Sequence, residues 1–542
     1  MVRRFVCAFL FLVPFLLVDA ATKNSAPPRL LSGLGEAHHP VSTSNKQAQQ
    51  FFDQGMALLY GFSHAQARRS FQRAGELDPK LAMAWWGVAL ALGSNYNFPV
   101  EPEPEKVAYD AIQRALALQN NASQSERAYI NALSLRYSNA EKPDLHQLDL
   151  AYRDAMAKLV ERYPDDLDAA TLYAESLMNL NPWKLWTKGG KPNQDTEEIL
   201  AVLESVLKRD PNHLGANHYY IHAVEASPNP DRALPCAMRL EKLAPGAGHL
   251  THMPSHIYAR VGDHSASARC NAMAAAADRR FFGQSIQPDM QASMLACHNL
   301  HFLAFAACMK GDFKQAKEAA ARVVADIMPV VKEMPMLEGF LPTPTIVLLA
   351  FEQWEDILKT PAPDSSLPIT MAYWRLGRAI ALANLGKTAE AEHEQTLWRE
   401  VTAKIPPDSF IVEINTAGAV FKIHENLLAS AIAHSKHDQN AAIDFLRQAV
   451  AAQDALNYTE PPHWYPSVRI ALGRALLEAK RESEAEQVFR DDLERNPRDP
   501  RGLSGLRDSL HAQGRSDEAD NVDRQYRAVW KVAAGESSSA KR

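Results

Sequence analysis

Apolar and small residues recur through most of this chain three or four positions apart, which is the period of one face of a helix. The stretch 51–79 shows the pattern clearly, with small residues at Gly55 and Ala67, an aromatic residue at Phe71 and Pro79 at its end. Two antiparallel helices can approach closely at the small residues, the ring can fill the space between them, and proline ends the second helix. No segment alternates apolar and polar residues over the length of a strand, so we expect an all-α protein with almost no sheet.

The same order of residues returns near the other end of the chain, at Gly473, Ala485, Phe489 and Pro497. This order resembles the tetratricopeptide repeat (TPR), a helix-turn-helix unit of about 34 residues. The resemblance implies a TPR-like α-solenoid, a superhelix of about nine to eleven helical hairpins with loop insertions, over residues 45–533 as one domain. In such arrays the first helix of each hairpin lines a concave groove.

Side chains that can bind a metal stand at helical spacing in three successive repeats in the middle of the chain. Their order is H-x3-H-x2-E in the first repeat, H-x2-H-x3-H in the second and H-x2-H in the third. Residues three and four apart lie on one face of a helix, so each repeat presents its set on one face. The residues are His218, His222, Glu225, His249, His252, His256, His298 and His301.

The TPR resemblance implies that these positions face the groove, where imidazoles from neighbouring hairpins can converge on one ion. We expect about one metal ion per chain, held by His218, His222, His252 and His256. Glu225 is either a ligand or an orienting partner, His249 and His301 are further ligand candidates, and His298 is the weakest. Neutral imidazoles suit zinc, copper or iron.

Two functions fit these residues. In the first, the protein is a metal-dependent hydrolase or oxidase, with Glu225 or Glu175 as the candidate proton carrier. In the second, it is a non-catalytic scaffold whose concave groove binds a peptide, a partner protein or a small-molecule ligand. The candidate groove residues for ligand binding are His298, Trp86, Tyr219, Trp183 and His463. The sequence lacks the motifs of nucleotide-binding proteins, serine hydrolases and zincins, which narrows the chemistry without choosing between the two functions.

Two stretches resemble a largely uncharacterised group of exported bacterial TPR proteins: HYYIHAVE at 218–225 and HMPSHIY at 252–258. The resemblance implies a fold and export. It brings no catalytic residues with it, so both functions stay open.

The N-terminus has the pattern of an export signal. Arg3 and Arg4 precede an uncharged apolar run over 5–18, and the small residues before Ala21 suit a signal peptidase. A membrane anchor is the alternative, but the run is shorter than the ~20 residues of a span. We therefore expect residues 1–20 to be a cleaved signal peptide, and the mature protein to be periplasmic or secreted.

Composition adds limits on order and on partners. Residues 21–44 and 534–542 have the composition of terminal segments, and we expect both to be disordered. The formal net charge is −6, from 58 basic and 64 acidic residues, without a basic block in the mature chain, so we expect no nucleic-acid partner. We expect no later segment long and apolar enough to cross a membrane, and hence no membrane contact after signal cleavage.

Overall fold

The computed structural model describes residues 28–98, 102–282, 290–411 and 414–533. The predicted signal peptide, residues 21–27 of the predicted disordered segment and the tail 534–542 lie outside the described residues. Within them, pairing of extended backbone is limited to three isolated bridges.

The described residues form an all-α, TPR-like solenoid. Successive helices pack as antiparallel pairs, with α11 and α12 acting as one broken helix, and twelve such pairs are present over the described residues, close to the nine to eleven predicted. The helices are α1 Lys46–Tyr60, α2 His64–Leu77, α3 Ala82–Leu90, α4 Pro102–Leu118, α5 Gln124–Ser134, α6 Leu145–Arg162, α7 Leu167–Leu180, α8 Thr196–Arg209, α9 Leu214–Glu225, α10 Leu234–Leu243, α11 Gly248–His252, α12 Pro254–Arg260, α13 His264–Phe282, α14 Met290–Met309, α15 Phe313–Ile327, α16 Thr343–Ala350, α17 Trp354–Lys359, α18 Pro368–Asn384, α19 Thr388–Thr402, α20 Ala417–Ser435, α21 Gln439–Asp454, α22 Val468–Glu478, α23 Glu482–Arg495, α24 Pro500–Ala512 and α25 Ser516–Ala533.

A buried aromatic ring against two glycines explains how three consecutive helices pack in the first repeat. Phe71 on α2 is fully buried, and its ring occupies the space next to Gly55 on α1 and Gly87 on α3. A Cβ atom would come within 2.4 Å of this ring at Gly55 and within 2.5 Å at Gly87, so a larger residue would push the helices apart. Phe489 is packed in the same way near the C-terminus, which shows why the pattern returns there.

Repeats that are far apart along the superhelix contact each other. The end of α1 contacts α9, where the Tyr60 ring lies 5.6 Å from that of His213 and 6.0 Å from that of Tyr219. In the second half, the turn after α12 lies against the turn before α24. Gly262 has a φ of +77°, and a Cβ at this position would touch the Pro497 carbonyl, so the two turns can approach closely only because this residue is glycine. Repeats that are far apart in sequence are therefore neighbours in space.

The N-terminal segment differs from its predicted disorder over its described part, 28–44. This segment is extended and runs across several repeats. The His39 Nδ1 atom lies 2.7 Å from an Asp168 carboxylate oxygen on α7, and the Gly33 carbonyl accepts a 2.7 Å hydrogen bond from the Gly246 amide. Hydrogen bonds from the backbone and side chains of this segment to other parts of the fold therefore hold it in place, which composition alone did not predict.

One described helix, α14, is long and apolar enough by length and composition to cross a membrane, although we expected no such segment. It packs between α13 and α15, and 61% of its most apolar window is buried inside the protein. Core helices of this kind have the same composition as membrane spans, so the apolar character of α14 is explained by its packing.

We predict that Phe71→Ala destabilises the N-terminal repeats by about 3–5 kcal/mol, because it leaves a cavity between three helices. The loss is measured as a shift in the urea midpoint followed by circular dichroism. Phe410→Ala is the control, since Phe410 is 61% exposed, and its change should stay within about 0.5 kcal/mol. Equal stability of the two variants would contradict this packing.

Candidate metal centre

Helix α9 forms the centre of the histidine cluster. Every residue from Leu214 to Glu225 is buried, because the helix is surrounded by α1, α7, α8, α10 and α12. His213 caps its first turn by accepting from the Ala216 amide. The spacing of four and three residues then puts His218, His222 and Glu225 on one face.

Pro254 breaks the next first helix into α11 and α12. Met253 is the junction residue, and its backbone stays in the right-handed helical region, so no loop separates the two helices. His249 and His252 belong to α11 and His256 to α12. His249 lies against His218 and His222 of α9, whereas His252 and His256 lie against His298 of α14.

The first group of three histidines consists of His218, His222 and His249. One ring nitrogen from each lies within 4.8 Å of the others, and all three side chains are buried. Phe62 closes one side of the group, with ring centroids 4.6, 5.7 and 5.5 Å from the three imidazoles. This phenylalanine has a φ of +55° in the turn after α1, and it is fully buried.

The second group consists of His252, His256 and His298. The His252 Nε2 atom lies 2.7 Å from His256 Nε2 and 3.2 Å from His298 Nε2. Phe302 closes one side of this group as Phe62 does in the first, with ring centroids 5.3, 5.2 and 5.9 Å from the three imidazoles. Each half of the cluster is thus three imidazoles backed by one buried phenylalanine.

Hydrogen bonds at Nδ1 orient the rings. His218 Nδ1 lies 2.5 Å from the Tyr60 carbonyl oxygen, and His222 Nδ1 lies 3.1 Å from Glu225 Oε1. An oxygen acceptor keeps the proton on Nδ1, which leaves a lone pair on Nε2. The Nε2 atoms of His218 and His222, and both ring nitrogens of His249, have no hydrogen-bond partner among the described residues.

Glu225 connects the two groups. Its Oε1 contacts His222 in the first group, and its Oε2 lies 2.7 Å from His256 Nδ1 in the second. Glu460 approaches the same His256 nitrogen at 3.2 Å. The Glu225 Oε2 contact lies off the direction of a hydrogen bond, so it is an electrostatic contact. Burial opposes the charge of Glu225, but His222 and His256 outweigh burial and lower the pKa of its carboxyl.

Two lone pairs face each other in the second group. Asn271 Nδ2 donates to the Ser267 carbonyl, so Asn271 Oδ1 is the atom that lies 2.6 Å from His252 Nδ1, and that nitrogen carries the proton. The carboxylates of Glu225 and Glu460 face His256 Nδ1 and favour a proton at that nitrogen by electrostatic attraction. The Nε2 atoms of His252 and His256 lie 2.7 Å apart, so protons on the two Nδ1 atoms leave two lone pairs facing each other.

Burial favours the neutral form of four imidazoles of the cluster. It lowers their pKa well below the ordinary value, and neighbouring rings lower it further, at His218, His249, His252 and His298. Neutral imidazole is the form that binds a metal ion. Zinc, copper and iron all accept such ligands.

A cavity of about 540 Å³ opens on both groups. His222 and His249 of the first group and His256 and His298 of the second are among its lining residues. Its walls include the aromatic side chains of Tyr96, Phe98, Tyr137, Trp183 and Phe340. The volume is typical of a site for a small molecule, which concave pockets of about 300–1,000 Å³ bind.

The structure divides the predicted ligands differently from the sequence analysis. His218 and His222 are in one group and His252 and His256 in the other. His249 completes the first group. The four favoured histidines are therefore divided between two groups of three, and the number of ions stays a prediction.

The two histidines of α14 have the opposite ranking to the one we expected. His298, the weakest candidate, completes the second group, whereas His301 points elsewhere, with its ring 5.6 Å from Phe340 and 6.3 Å from Tyr465. Residues three apart on a helix differ by about 60° in direction, and the rotation of α14 turns His298, and not His301, towards His252 and His256. His463 neighbours His301 electrostatically and does not line the cavity.

The remaining candidates fall into two classes. Trp183 lines the cavity, as expected for a groove residue. Trp86 and Tyr219 are instead core residues, 1% exposed, packed on Tyr129 and Tyr60 respectively. Glu175 accepts from Asn179 and is not part of the cavity wall, so its position differs from that of a proton carrier at the histidines.

Sequence reasoning missed Phe62, Phe302, Asn271 and Glu460. Glu460 and Phe62 come from repeats far from α9 in sequence, so only closure of the superhelix brings them to the histidines. Asn271 had a usable signal, because buried asparagine inside a helix needs partners for its amide.

No protein-family model matches the chain, and no curated protein matches it. Several solved structures are similar in fold. The yeast Tom70 structure shares 10% identity over 91% of this chain and 92% of that chain, with a TM-score of 0.30. The APC/C hetero-tetramer Cut9-Hcn1 shares 13% over 90% and 75%, with a TM-score of 0.28, and the human IFIT1 dimer with m7Gppp-AAAA shares 13% over 80% and 87%, with a TM-score of 0.34. At these identities and scores the likenesses add nothing about what this chain binds.

Asp278, a carboxyl group on α13 beside the second histidine group, contacts both α11 and α14. Asp278 on α13 accepts a 2.8 Å hydrogen bond from Asn299, the neighbour of His298, and its carboxylate covers Gly248 at the start of α11. Burial raises the pKa of Asp278 to about 6, against a bond from Asn299 that lowers it.

We predict that Asp278→Asn makes the metal-free protein more stable than the unchanged protein at pH 8. The native pKa of Asp278 lies above its ordinary value of 3.8, so its ionisation destabilises the fold as pH rises from about 4 to above 6. The shift in the pKa of Asp278 corresponds to a loss of about 3 kcal/mol in the free energy of unfolding at high pH, and solvent screening reduces this loss to about 2 kcal/mol.

Urea unfolding with a chelator present, at pH 4 and pH 8, measures this difference. The comparison at pH 4 is the internal control, because both side chains are neutral there and the stabilities should agree. The prediction would be contradicted if the stability of Asp278→Asn, measured relative to the unchanged protein, were lower at pH 8 than at pH 4.

Proposed function

We propose that this chain is a TPR-like solenoid that binds metal ions through six histidines, five buried and one half-buried, arranged as two three-histidine sites. The first site is His218, His222 and His249, and the second site is His252, His256 and His298. On the basis of its N-terminal signal we further propose that the protein works in the periplasm or outside the cell.

The opposed Nε2 atoms of His252 and His256 carry this proposal. The Asn271 oxygen at His252 Nδ1 and the carboxylates that face His256 Nδ1 favour a proton on each Nδ1, and two Nε2 lone pairs at 2.7 Å then repel each other. A metal ion bound by both nitrogens removes the repulsion. The unpartnered Nε2 atoms of the first site support the same conclusion, because buried polar atoms without partners are costly.

Three imidazole ligands per group fit a metal site with an open coordination position better than a closed structural site, which has four protein ligands. Three imidazoles leave at least one position of a metal ion free, and the free side of each site faces the cavity. A metal ion there would activate a bound water or small molecule, as a hydrolase or an oxidase requires. Glu225 contacts one histidine of each site, so its role is to orient the rings and to balance charge.

The second candidate function is a non-catalytic scaffold that binds a partner protein or peptide. TPR-like solenoids bind such partners on their concave face. In this chain the closed superhelix leaves a cavity sized for a small molecule, which favours the metal-dependent function on a small substrate.

We predict that the purified protein, without a histidine tag and after zinc reconstitution, holds about two zinc ions per chain. The double variant His218→Ala, His222→Ala should hold one, and so should His252→Ala, His256→Ala, because each pair belongs to one site. Elemental analysis after gel filtration gives the ratio, and circular dichroism checks that the fold survives.

His264→Ala is the matched control, since His264 is also a buried histidine whose ring nitrogens lack a partner among the described residues, but it lies outside both sites. It should retain both ions. Absence of metal from the unchanged protein after reconstitution would overturn the proposal and leave the scaffold function.

We predict that Asn271→Leu lowers the zinc affinity of the second site by about 10–100-fold and leaves the first site unchanged. The variant removes the acceptor that holds the His252 proton on Nδ1. A competition titration against a chromophoric chelator resolves the two affinities.

Asn426→Leu is the control for that variant, because Asn426 donates to a carbonyl four residues earlier as Asn271 does, yet it is not at the histidines. Unchanged zinc affinity in Asn271→Leu would show that the Asn271 contact does not orient a ligand.

A further inference from the structure

The two three-histidine sites share one cavity. Two histidines of each site lie in its wall, so a single small molecule in the cavity can reach both sites. The sites are also close to each other: the ring centroids of His222 and His256 are 6.0 Å apart, and those of His249 and His252 are 5.9 Å apart. A ligand with two donor atoms that enters the cavity therefore meets both sites.

The charge of the centre favours an anionic ligand. All six proposed ligands are neutral imidazoles, whereas two divalent ions bring four positive charges. Glu225 and Glu460 are the carboxylates that contact the histidines, and they offset only half of that charge. Oxygen anions entering from the cavity would offset the remainder.

The wall beside the first site is aromatic. The Tyr96 ring lies 5.2 Å from the His222 ring and 5.4 Å from the Trp183 ring, and Trp183 lies 6.2 Å from His222. These rings offer flat apolar surfaces next to the proposed ion, where a second aromatic ring can stack.

The backbone holds Trp183 in this place against its own preference. Trp183 has a φ of +60°, which is unfavourable for a residue with a side chain. Three residues later, the Trp186 indole donates a 2.8 Å hydrogen bond to the Ala223 carbonyl and so ties the loop to the histidine helix α9. Strain that the surrounding structure maintains is concentrated at functional sites.

We propose that the cavity binds a small planar aromatic molecule with two adjacent oxygen atoms, of the catechol class, as a ligand shared by two ions. Its oxygens face the two sites, and its ring lies against Tyr96 and Trp183. This proposal rests on the metal binding proposed above and adds the substrate class.

The test uses the reconstituted two-zinc protein and 4-nitrocatechol, whose visible absorption changes when its oxygens lose their protons and bind a metal. Zinc has no redox chemistry, so binding is measured without turnover. We expect one nitrocatechol per two zinc ions. The zinc-free protein should bind the same probe at least tenfold more weakly, because the ring contacts alone remain.

Variants separate the parts of the site. His298→Ala should hold one zinc ion and bind the probe at least tenfold more weakly. Trp183→Ala should keep both zinc ions and bind the probe about three- to tenfold more weakly, through loss of stacking. Trp354→Ala is the matched control, a half-buried tryptophan outside the cavity that should change neither value.

Failure of this proposal is distinct from failure of metal binding. Two zinc ions with two nitrocatechols per chain, or equal affinity in Trp183→Ala and Trp354→Ala, would overturn the shared aromatic ligand and leave the metal sites intact. Failure of zinc to bind would overturn both proposals, and elemental analysis of the same sample reports it.

Discussion

The candidate site depends on one electrostatic constraint, the crowding of six imidazoles in two groups inside the fold. Carbonyl, amide and carboxylate oxygens at the Nδ1 atoms of His218, His222 and His252 favour protons there, and so they direct Nε2 lone pairs into the groups. A protein interior does not tolerate such an arrangement without compensation. A metal ion in each group, as proposed above, would supply that compensation, and for this reason the hydrogen bonds around the cluster are as informative as the histidines themselves.

Closure of the superhelix produces the rest of the site. The first repeat supplies Phe62 and the Tyr60 carbonyl, the fifth supplies α9, and a loop near the C-terminus supplies Glu460. An open solenoid would present its histidines to solvent, where water would satisfy every nitrogen. Contacts between distant repeats place the histidine-bearing faces of several helices in the wall of one cavity. The rest of that wall includes aromatic side chains.

The sequence was sufficient for the fold and for most of the cluster, and physical reasons explain where it was not. Small residues, Phe71 and a terminal proline repeat with the TPR period because each hairpin packs only on its neighbours, so local pattern carries that information. The choice between His298 and His301 depends on a rotation of α14 of about 60°, which spacing does not encode. The division into two groups depends on how α9, α11 and α14 pack against one another, and the place of Phe62 depends on contacts between repeats more than a hundred positions apart.

The position of Phe62 has a consequence for how the protein is made. This ring belongs to the hairpin of α1 and α2, yet it rests on histidines that are synthesised far later. The hairpin therefore cannot reach its final surroundings until the chain as far as α11 has been made and has coiled back. Under the metal binding proposed above, capture of an ion by the first site would be coupled to completion of the coil, and a cell that withheld the ion during biogenesis would accumulate an uncoiled intermediate.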